Sequence, residues 1–444
     1  MKIKCLSRNP DDFLRETKRD IHKVPRNYDP NLHPFEAPRE YVRALNAAKL
    51  ERVFAKPFLG SLDGHRDSVS VIKKHPTSLS LLFSGAYDGE VRLWNIARRN
   101  CVKTVQAHDG LVQGLCAHPN GQSIFSVGAD KLIKHWSLTE EGDIVDEPKS
   151  VIMGRSVFQC IDHHGKENYY ATCGVGVNIW DEERTEPMRY FTWGVDSIHH
   201  VKFNPIECNI LGAAASDRSI ILYDMRGSTP LRKVILKLRS NAITWNPMEA
   251  YIFTVANEDY NCYTFDMRKL SIPMNVHRDH VAAVMDVDYS PTGKEFVTAG
   301  YDHCLRIFPL DHGHSREIYH TQRMHRIHTC CWSLDNKYIL SGSEEMNIRL
   351  WKARAWEKLG TLKSRESTTL RYNAKLKTKF SNHPQVKRVL KHRHVSKMVF
   401  HNTREIRKIR EAQKKREQNR MENSKIGSVG YKSEKESHMV GELE

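Results

Sequence analysis

Eleven residues near the C-terminus, Lys387 to Lys397, read KRVLKHRHVSK: five Lys or Arg and two His, with no acid among them. Such a run does its chemistry on anions. Ammonium and guanidinium groups neutralise phosphates and release their counterions. It sits in a wider basic segment, residues 371–420, with 17 Lys/Arg against 3 Asp/Glu. The candidate phosphate-binding residues are Arg371, Lys375, Lys377, Lys379, Lys387, Arg388, Lys391, His392, Arg393, His394, Lys397, Arg404, Arg407, Lys408 and Arg410. His392 and His394 can stack on bases or donate to phosphate, or serve simply as polar surface. Aromatics are few here (Tyr372, Phe380, Phe400), so backbone-phosphate contact or helix docking is expected over base stacking. A basic helix in an acidic protein groove, or a merely solvated helix, fits the same charge pattern.

Other reactive side chains point away from catalysis. His325, His328, Cys330 and Cys331 have metal-ligand types, but His328, Cys330 and Trp332 alternate as one face of a strand would. The ten Cys are otherwise scattered, without a C-x-x-C pair, as small buried apolar residues of an intracellular chain usually are. There is no P-loop, no dinucleotide glycine fingerprint, no G-x-S-x-G and no H-E-x-x-H. Acid pairs such as Glu182-Glu183 and Glu344-Glu345 fall at turns. The expectation is a scaffold that is not an enzyme, with no catalytic residues, no metal, no cofactor and no small-molecule substrate.

The charge is partitioned. The formal net charge of the 444 residues is +16, and 25 Lys/Arg against 10 Asp/Glu lie from Lys352 onward. Residues 1–351 then hold 44 basic and 43 acidic residues and are nearly neutral. A neutral body with a basic tail points to a polyanionic partner. No apolar run approaches the roughly 20 residues of a membrane span. The polar start, MKIKCLSRNPDDFLRETKR, lacks the apolar core of a signal peptide. No membrane partner and an intracellular location are expected.

The elements that must carry these groups are read from a repeat in the neutral body. GAYDGEVRLWNI (85–96) is echoed by VGADKLIKHWSL, AGYDHCLRIFPL and SGSEEMNIRLWKA, and more weakly by three other stretches. Aligned aromatics are Trp94, Trp136, Trp180, Tyr223, Phe265, Phe308 and Trp351, at intervals of 42, 44, 43, 42, 43 and 43 residues. Six residues before each stands a turn residue: Asp88, Asp130, Gly174, Asp217, Asp259, Asp302 or Glu345. An acid there can accept backbone N–H groups and tie the turn down. Four units also offer an upstream His: His65, His108, His277 and His325.

This unit resembles the WD repeat, whose four-stranded blades of about 40–45 residues build propellers. Seven copies imply an all-β, seven-bladed WD-repeat β-propeller, with an N-terminal arm and a basic α-helical C-terminal extension. The resemblance also implies structural tetrads, matched by His65, Ser84, Asp88 and Trp94 and by His108, Ser126, Asp130 and Trp136. Blades three, four and five lack the His. Either RVFAKPFLGSL (52–62) or AWEKLGTL (355–362) must close the ring, and the N-terminal segment is favoured.

The flanks complete the organisation. In residues 25–58 a Pro-rich half should be extended, followed by a helix with Tyr41, Leu45, Ala48 and Val53 at near-helical spacing. In the tail, Tyr372, Leu376 and Phe380 form one stripe, and Asn382-His383-Pro384 breaks it. A next helix keeps Val386, Val389 and Leu390 on one side. Val399, Thr403, Ile406 and Ile409 form a narrower stripe further on, and Glu411 can pair with Lys415. The expected divisions are 1–51, arm with a short helix; 52–362, propeller; 363–422, basic helical domain; and 423–444, disordered tail.

HPFEAPREYVRALNAAKLERVFAKPF, the seven units, and YNAKLKTKF…HPQVKRVLKHRHVSK together resemble the Sof-type WD-repeat family over about residues 1–420. That resemblance implies a nuclear, nucleolar scaffold of the small-subunit processome, a ribonucleoprotein of ribosome biogenesis. Its partners would be pre-rRNA, the box C/D small nucleolar ribonucleoprotein and other processome proteins, in rRNA processing toward 18S rRNA and the 40S subunit.

Two blades end in a second signature. IILYDMR and CYTFDMR place Asp224 and Arg226, and Asp266 and Arg268, two residues apart after the aromatic. This is similar to the W-D-x-R box of WD substrate receptors of cullin-4 RING ubiquitin ligases, with Tyr223 and Phe265 in place of Trp. It implies a docking site for the ligase adaptor, since an Arg at a propeller edge can pair with a partner's carboxylate. A local Asp–Arg contact ending the strand is the simpler reading. In blade three, WDEER sets Arg184 one position too far.

Overall fold

The computed structural model describes residues 30–32, 34–139, 142–425, 428, 430 and 432–443. They form two units: residues up to Pro57 with Arg354–Arg393, and Phe58–Ala353 with His394–Glu444. The expected basic helical domain is therefore divided between units rather than standing alone.

In the second unit seven antiparallel sheets form the seven blades. The innermost strands, from Val69–Lys74 in blade one to Ile327–Trp332 in blade seven, each touch the next around a closed ring. Blade seven is completed by Phe58–Leu62, which pairs antiparallel with Ile348–Lys352 (Phe58 opposite Trp351, Leu62 opposite Ile348). The N-terminal segment thus closes the ring, as favoured, although only its last five residues are strand. Apolar faces of adjacent blades interlock. Phe83, Leu93, Val112 and Leu115 join blades one and two, and Ile220, Leu222, Ile243 and Trp245 join four and five. Removing these large side chains from water supplies most of the driving force.

The turn acids do what their spacing predicts. Asp88, Asp130, Asp217, Asp259 and Asp302 each accept the backbone N–H two residues on, at 3.0–3.2 Å. The intervening residue is left-handed: Gly89 (φ 84°), Lys131 (65°), Arg218 (68°), Tyr260 (71°) and His303 (60°). Four of these are not Gly, so the Asp bond offsets a backbone cost of about 1–2 kcal/mol. Glu345, one methylene longer, pairs with Arg349 instead.

The tetrads depart from expectation. In blade two the set is complete: His108 bonds Ser126 (2.8 Å) and Asp130 (2.9 Å), and Trp136 donates to Ser126 (3.0 Å). In blade one His65 bonds Ser84 (2.6 Å) and Trp94 donates to Ser84 (2.7 Å), but His65 Nδ1 and Asp88 Oδ2 are buried without a partner among the described residues. In blade six the tetrad His is His280, not His277. His280 bonds Thr298 (2.6 Å) and Asp302 (2.9 Å). His277 lies on the outer strand of blade five and bonds Thr264 (2.9 Å) and the His312 carbonyl (2.9 Å). His325 faces the ring of His303 (6.1 Å).

The first unit is helical. Helix α1 (Glu36–Val53) packs on α2 (Ser364–Lys379) and α3 (Pro384–Lys391). Leu45, Ala48 and Val386 are buried together, with Tyr41, Phe380, Val389 and Leu390 against them. Tyr41 donates to Gln385 (2.6 Å) and Lys379 pairs with Glu40 (2.6 Å). Val53 is exposed rather than part of this face. Pro38 sits in the first turn of α1, and Pro384 opens α3, where its missing N–H costs nothing. Most of the segment expected to be extended lies outside the described residues; Pro30–Leu32 is a 3-10 turn.

Helix α4 (Lys397–Glu422) belongs to the propeller unit. Ser396 caps it by accepting the Val399 N–H, and Val399, Ile406 and Val395 pack on Val281, Cys304 and Ile318 of blade six. Ile409 is exposed, and Glu411 pairs with Arg407 (2.8 Å) rather than Lys415. The last residues are not without structure: Met439–Leu443 adds a fifth strand to blade four, pairing with Pro230–Leu236.

Candidate nucleic-acid and partner-docking sites

The structure sorts the candidate phosphate-binding residues by their partners. In the helical unit, Lys377 pairs with Glu51 and lies over the Trp356 ring (5.1 Å), and Lys379 pairs with Glu40. These two cations hold α2 to α1. Arg371, Lys375, Lys387, Arg388 and Lys391 are exposed and meet no acid among the described residues. His392 caps the end of α3 and is exposed, and Arg393 donates to the His392 carbonyl (3.0 Å). Tyr372 accepts a bond from Arg43 (3.2 Å) and Phe380 packs edge-on to Tyr41, so neither is a free stacking platform.

In the propeller unit, His394 stacks on His320 (centroids 5.4 Å apart). Arg410 donates to Asn261 (3.3 Å) and Arg407 pairs with Glu411. Lys397, Arg404 and Lys408 are exposed without acidic partners among the described residues. With Lys415 they fall at i, i+7, i+11 and i+18 of α4, one stripe roughly 27 Å long at 1.5 Å per residue. Residues 411–422 are exposed all round, so the end of α4 that carries Lys415 stands clear of the propeller. The sequence run singled out Lys397, Arg404 and Lys408 but not Lys415 or the alignment of the four, which requires that α4 be one helix.

The two Asp–Arg boxes have the same geometry. Arg226 donates to Asp224 through its backbone N–H (2.9 Å), Nε (3.2 Å) and Nη2 (3.2 Å). Arg268 does so to Asp266 through N–H (3.0 Å), Nε (3.1 Å) and Nη2 (2.8 Å), and lies over the Tyr251 ring (4.3 Å). Bonds from Arg268 hold the Asp266 carboxyl below its usual range. The side chains of Arg226 and Arg268 remain 69% and 64% exposed, so the carboxylates orient the guanidiniums without covering them. The local contact and a docking role are therefore compatible. In blade three, Arg184 reaches Asp181 only at 3.6 Å.

The metal-type residues are not brought together. His328 lies among the rings of Tyr87 and Tyr301, Cys330 points to the Val297 carbonyl, and Cys331 joins the core of blades seven and one. Burial pushes the Cys331 thiol up to about 12. Two other clusters have ligand spacing: His118, His163, Glu182 and His65, Asp88, Glu90. In the first, His118 Nδ1 accepts the Asn120 N–H (3.0 Å), so the neutral ring carries its proton on Nε2, 3.3 Å from Glu182, instead of offering a lone pair there. In the second, Arg92 donates twice to Glu90 (3.0 and 2.6 Å) and already supplies the positive charge. A cavity of about 520 Å³ along the ring axis is lined by Lys73, Lys202, Asp162, Asp286 and Asp288. Its three acids accept N–H groups of the next blade, from Phe203, Cys330 and Trp332, and so serve the ring.

Residues 353–439 match the Sof1-like domain, and residues 56–95, 99–137, 271–308 and 316–352 match the WD domain, G-beta repeat. Over 99% of both chains the sequence is 59% identical to "DDB1- and CUL4-associated factor 13" of Homo sapiens. It is 44% identical to "Protein SOF1" of Saccharomyces cerevisiae over 99% of this chain and 95% of that one. The chain belongs to the Sof1 family. Blades three to five, which lie outside the matched repeats, all lack a tetrad His. The Sof1-like match runs through α2, α3 and α4, although these helices pack in different units.

Proposed function

We propose that this Sof1-family chain is a non-catalytic nucleolar scaffold of the small-subunit processome, holding pre-rRNA through its exposed tail cations during processing toward 18S rRNA. One observation carries the reading: most basic residues of the tail are exposed and meet no acid among the described residues, and four of those on α4 fall in one stripe. A solvated helix does not need four cations in register, whereas a phosphate backbone does. The box C/D ribonucleoprotein and other processome proteins would meet the propeller edges. The test is crosslinking of the full chain to RNA in cells. Lys397→Glu, Arg404→Glu and Lys408→Glu together should cut recovery of pre-rRNA about tenfold, and unchanged recovery refutes the assignment.

A second reading rests on the paired boxes. Two matched, exposed guanidiniums on neighbouring blades suit carboxylates on an adaptor, and relatives carry DDB1 and CUL4 in their names. A substrate receptor of a cullin-4 RING ligase follows, and it can coexist with the ribosomal role. Arg226→Ala with Arg268→Ala should abolish co-purification of DDB1 and leave pre-ribosome sedimentation intact. Retained DDB1 excludes the boxes.

A further inference from the structure

The fifth strand of blade four ends beside the boxes. Met439–Leu443 runs antiparallel to Pro230–Leu236, with Met439 opposite Leu236 and Leu443 opposite Lys233. The strand therefore travels toward Pro230, which pairs with Tyr223 of the first box. There Glu442 lies 3.7 Å from Arg232, and Arg232 donates to the backbone carbonyl of Arg268 in the second box (3.1 Å). A carboxylate of the chain itself thus sits on the arginine that links the box rim. Upstream, the segment is aligned by polar contacts: Glu434 with Arg278, Lys435 with the Met274 carbonyl, and the His438 ring 5.4 Å from that of Tyr263.

The strand is built to be exchanged. Only Met439 packs into the core between blades four and five, while Val440 and Leu443 are 63% and 50% exposed. One part-buried apolar side chain, one half-buried carboxylate and a short hydrogen-bonded ladder set against the ordering of five residues leave a weak net preference for the seated form. The edge beneath it is an ordinary outer strand that can receive any extended segment.

We propose that the C-terminal strand is an intramolecular competitor for the box rim: seated on blade four, it pairs Glu442 with Arg232, which is bonded to the second box, and so sets a negative charge beside the arginines that an acidic adaptor surface would engage. This rests on the adaptor reading above and assigns that site its regulation. A strand seated nine-tenths of the time lowers apparent affinity about tenfold, because only the open fraction is competent.

The experiment uses the full chain and purified DDB1. Met439→Asp with Glu442→Arg removes the anchor and reverses the rim charge without touching the boxes. This variant should bind DDB1 at least fivefold more tightly than the parent. A free peptide of residues 432–443, added in excess, should return it to parental affinity. Equal affinities of parent and variant, with binding still lost in Arg226→Ala/Arg268→Ala, overturn the proposal and leave the boxes standing. No DDB1 binding by any form removes the box reading, and the proposal with it.

Discussion

Replacing Lys397, Arg404 and Lys408 by Gln removes three of the four aligned cations of α4 and leaves its packing on blade six through Val399 and Ile406 untouched. If each contacts one phosphate of a single strand, the slope of log K against log salt should fall by about 0.7 per contact, or about 2 in total. Between 50 and 200 mM salt that is about 1.3 decades. The parent should lose roughly twentyfold more affinity over this range than the variant. The internal comparison is Lys377→Gln with Lys379→Gln. It removes nearly as much charge, but from side chains already paired with Glu51 and Glu40. That variant should keep the parental slope. The assay is fluorescence anisotropy of a labelled single-stranded RNA titrated at four salt concentrations. Equal slopes for all three proteins would show that α4 does not hold phosphates. An equal fall in both variants would show that net charge, not exposure, is what matters.

The tetrads predict unequal costs in denaturant unfolding. Asp302→Ala strips a fully enclosed carboxylate from His280 and leaves buried Arg306 only the longer contact to Asp279 (4.0 Å), at about 3–5 kcal/mol. Asp88→Ala loses mainly the Glu90 N–H bond, at about 1 kcal/mol, and similar midpoint shifts would refute this distinction. Acid should also destabilise the propeller early. Burial lowers His65, His135 and His277 to about 4, so each is neutral when folded but protonates near 6.5 when unfolded. Below about 6.5 the unfolded chain then binds more protons, and stability should fall as pH drops toward 4 by up to about 1.4 kcal/mol per pH unit for each ring. A melting temperature flat from pH 7 to 5 would contradict it. In the helical unit, Val386→Asp buries a charge against Leu45 and Ala48, and hydrogen exchange should show α1 opened; unchanged protection would refute that core.

Period and residue type were enough to read the ring. Seven aromatics at near-constant spacing define seven blades, because each four-stranded unit must present the same face to its neighbour. The turn acids were legible for the same reason: the bond from Asp to the N–H two residues on is local. The tetrad His was not. His277 and His280 lie three residues apart, and only the strand boundary at Arg278 decides which one turns toward Thr298 and Asp302. Asp88 carries the right letter at the right place, yet its neighbours Glu90 and Arg92 pair with each other and it does not bond His65.

By itself the sequence determined the propeller, the helical flanks and the location of the positive charge, since these follow from periodicity and composition along the chain. Tertiary structure alone decided which cations remain available. Lys377 and Lys379 look no different from Lys397 and Lys408 in the run of letters, but α1 brings Glu51 and Glu40 to the first pair, while the second meets no acid among the described residues. It also decided that the final residues are a strand. Edge pairing draws on backbone groups that every residue has, and Met439 and Glu442 acquire meaning only where Leu236 and Arg232 meet them.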